Sequence, residues 1–120
     1  MTEKDARQEF GDEVQVHSHS MTEVDRAIVD GQTDGFLKVI TGKDDRILGT
    51  TIVASRAGEL LGEFVLAIRN KHSLKDLASA IHPYPTYSTA IQQLAAEVTI
   101  NHTLEGTSGK FIRGLSRLLR

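Results

Sequence analysis

Two hydrophobic rhythms organise this chain. Strand-like runs, alternating or continuous, dominate its first half, and a recurrence every three or four positions dominates the second. EVQVHSHS alternates and places Val14 and Val16 on one face, which predicts a strand. In GFLKVITGKDDRILGTTIVAS, two β-rich runs at 36–41 and 47–54 surround the turn-rich GKDD, a hairpin signal. Ile52, Val53 and Ala54 make the end of the second run apolar on both faces, which predicts a central strand covered from both sides.

Helical signals frame and follow these runs. Thr2 reads as the N-cap of a short helix, EKDARQEF, with acids in its first turn and Gly11 as its stop. In MTEVDRAIVDG, Thr22 and Asp25 flank a helical turn that sets Val24, Ala27 and Ile28 on one side, and Gly31 ends it. RAGELLGEFVLAIRN is apolar at 57, 60, 61, 64, 65 and 68, a helical period. Its small residues Ala57, Gly58 and Gly62 leave room for a backbone or ligand to come close. Ser73 caps a further helix, SLKDLASAI, and Ser88 caps a longer one, TAIQQLAAEVTINHTL, with an apolar stripe at 91, 94, 95 and 98 reaching toward 100 and 104. The tail GTSGKFIRGLSRLLR is looser, a short basic amphipathic piece with Phe111, Ile112, Leu115, Leu118 and Leu119. Docking onto the same domain or a partner is expected of so short a segment, ahead of a membrane surface. Strands come early and helices late, which favours α+β over a parallel α/β sheet.

Composition narrows the function. The 120 residues make one globular domain. A formal charge of −2 argues against a general nucleic-acid binder. Without cysteines there is no disulfide framework, thiolate nucleophile or cysteine-ligated zinc. No apolar run approaches the ~20 residues that span a bilayer, so neither a membrane nor a nucleic acid is expected as partner, and a cytoplasmic location is. The dinucleotide, P-loop, nucleophile-elbow and zinc-protease motifs are all missing, which makes a self-contained nucleotide enzyme an unfavoured reading.

The stretch with concentrated chemistry is IHPYPTYSTA, residues 81–90, which holds both prolines, both tyrosines and one of five histidines. Pro83 and Pro85 restrict the residues before them to extended conformations, so the loop is expected to be stiff, with a cis bond as one option. Elsewhere, Glu59 and Glu63 lie one turn apart and read as a solvated face or interface salt bridge. His17 and His19 share a strand face; without a third ligand they read as an exposed face, and no metal site is expected. His72 and His102 read as surface residues, and GKDD as a solvated hairpin tip.

GFLKVIT…DRILGTTIVASRAGELLGEFVLAI followed by LKDLASAIHPYPTYSTA resembles the C-terminal dimerisation domain of the FAD-dependent pyridine nucleotide–disulfide oxidoreductases. The likeness is to the mercuric-reductase-like and dihydrolipoamide-dehydrogenase-like branch. It spans residues 13–100 and rests on the ordered blocks G-F-x-K-V, R-I-L-G, A-G-E-L and P-T-x-S. It implies an antiparallel sheet with flanking helices forming the two-fold interface of a homodimer, with 1–104 as the interface domain and 105–120 as the basic tail. In whole enzymes of this family the FAD- and NAD(P)H-binding domains and a redox-active cysteine pair lie upstream. The chain therefore looks like an isolated domain or gene fragment, expected to bind no cofactor and turn over nothing alone. The alternative is a free-standing adaptor or small-molecule-binding module of the same fold.

The resemblance also assigns roles in the loop. Lipoamide-type enzymes carry His-x-His-Pro-Thr-x-Ser-Glu there; the second His is the acid–base that reaches the partner's flavin and disulfide, and the Glu orients it. Anchored on Pro85 and Thr86, His82 matches the first His, Tyr84 stands at the catalytic one, and Thr89 replaces the Glu. A histidine near ~6.5 exchanges protons at neutral pH, whereas a tyrosine near ~10 does not. Tyr84 is then expected to donate a hydrogen bond, or to help contact a metal ion or quinone, with Tyr84 and Pro85 beside the partner's flavin. A two-residue shift would instead put His82 at the acid–base position. His82 otherwise reads as a structural loop histidine, and Tyr87 as packing.

Overall fold

The computed structural model describes residues 1–118; Leu119 of the apolar tail set lies outside them, as does the side chain of Ile112. Three antiparallel strands, β1 (Gln15–Ser20), β2 (Phe36–Thr41) and β3 (Ile47–Val53), form one sheet in the order β1-β2-β3. The β2–β3 pair is the hairpin expected around GKDD, with a register irregularity at Ile40/Thr41. Alternation along β2 sends Leu37 and Val39 into the main core and Ile40 into a smaller cluster on the opposite face.

That smaller cluster explains the N-terminal helix. α1 (Glu3–Phe10) lays Ala6 against Val14 and Ile40, with Val16 and Leu48 around them. Thr2 Oγ1 accepts from the Asp5 N–H at 3.1 Å, and Gly11 stops the helix at φ 59°. Lys38 Nζ lies 2.9 Å from Glu3, tying α1 to the sheet.

The main core lies under α2 (Asp25–Val29), α3 (Ala57–Arg69), α4 (Leu74–Ser79) and α5 (Thr89–Glu105). Phe64 of α3 is fully buried there among Leu60, Leu74, Ile91 and Leu94. Each such side chain contributes about 1.5–3 kcal/mol on burial. This is the α+β arrangement, an antiparallel sheet with flanking helices, that the strand-then-helix order predicted.

Five expectations are corrected. β3 is an edge strand and β2 the central one, because hydrogen-bonding partners, not apolar content, decide position in a sheet; Val53 is exposed. Ile28 is 52 % exposed, since a helix of five residues buries only Ala27, with Val24 just ahead of it, before the turn at Gly31. Ser88 already has helical backbone angles and makes no capping bond; its hydroxyl meets Thr86 Oγ1 at 2.7 Å. Leu61 and Val65 of α3, and Ile100 and Leu104 of α5, face outward rather than into the core. The tail is a helix, α6 (Thr107–Leu118), and its own domain leaves its apolar face open: Phe111 is 70 % and Leu118 84 % exposed.

Candidate functional site

The loop between α4 and α5 is held from behind. α4 starts on a reciprocal cap, in which Asp76 N–H donates to Ser73 Oγ and Ser73 N–H donates to Asp76 Oδ2, the latter at 2.8 Å. It ends at Ser79, and the Tyr84–Pro85 peptide bond is cis. Between them the His82 side chain turns inward, only 6 % exposed, with Nε2 2.6 Å from Glu63 Oε1 and Nδ1 3.1 Å from the Ala80 carbonyl. The helix α3 thereby clamps the loop through a carboxylate–imidazole contact.

Tyr84 points the other way. Its side chain is 72 % exposed, and its hydroxyl donates to Asp25 Oδ2 at 2.6 Å. Tyr87 is buried and donates to Asp30 Oδ2 at 2.9 Å. Thr86 Oγ1 donates to the Pro83 carbonyl at 2.6 Å; having one hydrogen, it accepts from Ser88 Oγ at 2.7 Å. Thr89 is buried and donates to the Thr86 carbonyl at 2.7 Å. His82, Tyr84 and Thr89 are thus neighbours in sequence that take three different partners.

The acids set the protonation of the phenols. The bond to the Asp25 carboxylate, reinforced by its charge, raises the Tyr84 pKa above the ordinary tyrosine value. Burial, then the bond to Asp30, raises that of Tyr87. The same Tyr87 bond, with Arg26, lowers the Asp30 carboxyl. Both phenols therefore stay protonated at neutral pH and act as hydrogen-bond donors.

From the sequence, Glu63 reads as part of a solvated face or an interface salt bridge, Asp25 as the flank of a helical turn, and Asp30 has no role. A buried histidine requires partners for its ring nitrogens, and that was the one available signal for an acid facing His82. Three of the other histidines depart from expectation, and His72 does not. His19 is only 7 % exposed, with Nε2 3.1 Å from Gln93 Oε1 of α5, so the His17–His19 face is covered by a helix. His17 Nε2 lies 3.0 Å from Thr41 Oγ1, and burial lowers its pKa. His102 is half-buried, with Nδ1 2.7 Å from Asp45 Oδ2, so the hairpin tip is tied to α5 rather than simply solvated. His72 is at the surface, 3.4 Å from Asp76. Among the described residues no group of three or more His, Cys, Asp or Glu is placed to hold a metal ion.

Pro85, Thr86, Tyr87 and Ser88 form one wall of an open cleft of about 440 Å³, with Arg26, Arg56, Glu59 and Leu60 opposite. The loop thus shows its inner side to the core and Tyr84, with this cleft, to the outside.

A family model, the dimerisation domain of the pyridine nucleotide-disulphide oxidoreductases, matches residues 1–95. The chain belongs to this family. The match takes in α1, ahead of the residue 13 at which the sequence likeness starts, and places this dimerisation domain among flavoprotein disulfide reductases, which are FAD- and NAD(P)H-dependent. It is 37% identical to the dihydrolipoyl dehydrogenase of Halobacterium salinarum over 105 residues, covering 87% of this chain and 22% of that enzyme. It is 42% identical to the mercuric reductase of Shewanella putrefaciens over 67 residues, 55% of this chain and 12% of that one. The dimerisation domain therefore spans less than a quarter of these relatives. Among solved structures, the Cu(II) complex of the HOCl-induced flavoprotein disulfide reductase RclA from Escherichia coli superposes with a TM-score of 0.76 at 26% identity. That superposition covers 82% of this chain and 22% of the reductase. No helix among the described residues is long and apolar enough to cross a membrane.

Proposed function

We propose that this domain forms the two-fold interface of a homodimer and presents the 82–89 loop to the partner subunit's flavin and disulfide site in an FAD- and NAD(P)H-dependent oxidoreductase. The observation that carries the reading is the outward face of α3. Gly58, Leu61, Gly62 and Val65 stand at i, i+3, i+4 and i+7, so they form one strip along the helix. Leu61 and Val65 are exposed, and the Cα hydrogens of Gly58 and Gly62 meet open space. Exposed aliphatic residues interleaved with glycines suit a second backbone coming close, and obligate interfaces of this kind bury more than about 2,000 Å².

The loop geometry supports the second half of the reading. Glu63, Asp25 and Asp30 hold it from within the chain, which fixes its backbone before any partner arrives. His82 is turned inward, so Tyr84 is the side chain offered outward, and a phenol kept protonated serves as a hydrogen-bond donor rather than a proton carrier. Thr89, bonded to Thr86, orients no imidazole. Tyr84 and Pro85 are the residues this chain would bring to the partner's FAD, which supplies the electron transfer when bound.

Light scattering on the chain across a dilution series tests the interface. The expected result is a dimer mass persisting to low micromolar, reduced to a monomer in L61D/V65D with an unchanged circular dichroism spectrum. A monomer at high concentration in the unmodified chain would overturn the proposal.

A further inference from the structure

The helix α6 lies beyond residue 95, where the family match ends, so membership of the family leaves it unexplained. Phe111, Leu115 and Leu118 occupy i, i+4 and i+7 and share one face. All three are exposed, so the domain does not cover that face. Lys110, Arg113 and Arg117, at i, i+3 and i+7, share another face. With Glu105 and Gly114 they line a cleft of about 330 Å³. Arg113 also donates to the Leu104 carbonyl, fastening the basic side to the end of α5. Residues 107–120 contain Lys110, Arg113, Arg117 and Arg120 and no acid, in a chain whose formal charge is −2.

We propose that α6 is an interfacial helix that lies on an anionic lipid surface, its Phe111–Leu115–Leu118 face among the acyl chains and its cations at the headgroups. Like charges three and four positions apart repel mildly on an isolated helix, and a polyanionic surface turns each of them into an attraction. Nucleic acid would satisfy the cations and leave the apolar face in water. A second copy of this helix would cover the apolar face but bring the same cations and no acid. A bilayer surface with acidic headgroups does both, which is the pattern of helices that lie in the membrane plane. The sequence favours docking on the same domain or a partner over a membrane surface; the exposure of Phe111 and Leu118 removes the same domain as cover and, with the basic face, reverses that preference.

The test is flotation of the full chain with vesicles of pure phosphatidylcholine and with vesicles containing about 30% phosphatidylglycerol. Binding is expected on the anionic vesicles alone, weakening as salt rises. K110Q/R117Q should weaken it roughly 25-fold, at about fivefold per cation. F111S/L118S should abolish it while leaving the solution mass and circular dichroism spectrum unchanged. Equal partitioning on both vesicles, or none on either, overturns the proposal. So does binding to duplex DNA that F111S/L118S leaves intact. A loss of dimer mass in F111S/L118S would instead assign the face to a second copy and overturn it as well.

Discussion

Replacing Glu63 with alanine tests whether the loop is held from α3. The change removes the oxygen 2.6 Å from His82 Nε2 and leaves a ring only 6 % exposed with one partner, the Ala80 carbonyl. A hydrogen bond involving a charged group is worth about 1.5–3 kcal/mol, and breaking a fully buried ion pair costs about 3–5. The Glu63 side chain is 29 % exposed, so water replaces part of what is lost and the lower range applies. Glu63→Ala should therefore destabilise the chain by about 1.5–3 kcal/mol, and Glu63→Gln, which keeps an acceptor oxygen, by about 1. In urea unfolding at fixed protein concentration, with a slope of about 1–3 kcal/mol per molar, the midpoint should fall by roughly 1 M in Glu63→Ala. A cycle with His82→Ala should give a coupling of about 1 kcal/mol or more, because neither change costs much once the other is made. A loss within about 0.5 kcal/mol in Glu63→Ala, or a coupling near zero, would refute the clamp.

Two other predictions concern the sheet. Burial depresses the His17 pKa, so the unfolded chain takes up that proton first as pH falls; stability is full above the ordinary histidine value and is lost below it, toward the depressed folded value. His17→Gln, whose amide can keep the bond to Thr41, should flatten the fall in Tm between about pH 7.5 and 5.5; a constant offset from the unmodified chain across that window would show that His17 does not titrate in it. Gly35 sits at φ 119°, and a Cβ there would lie 1.8 Å from the Val53 carbonyl oxygen. Gly35→Ala should cost at least about 1–3 kcal/mol by calorimetry, and an unchanged Tm would show that the β2–β3 edge yields freely.

Much of this protein is written in short-range chemistry. Thr2 and Ser73 cap helices because hydroxyls three residues from an unpaired N–H satisfy it, and GKDD turns a hairpin because two β-rich runs flank it. Clustering of both prolines and both tyrosines in ten residues marked the loop, and four ordered sequence blocks marked the family. What holds the loop was not legible there. The partners of His82, Tyr84 and Tyr87 lie 19, 59 and 57 residues away, and no periodicity carries information over such spans. Burial of His19 likewise depends on Gln93, 74 residues on, and strand order depends on which edges find partners. By itself the sequence determined most of the elements, the caps at Thr2 and Ser73 and the α+β class, because these follow from neighbours along the chain. Only the tertiary structure decided that His82 faces inward and Tyr84 outward, that β2 is central, and that Phe111, Leu115 and Leu118 of α6 stand uncovered, because each depends on which distant surfaces meet and exclude water.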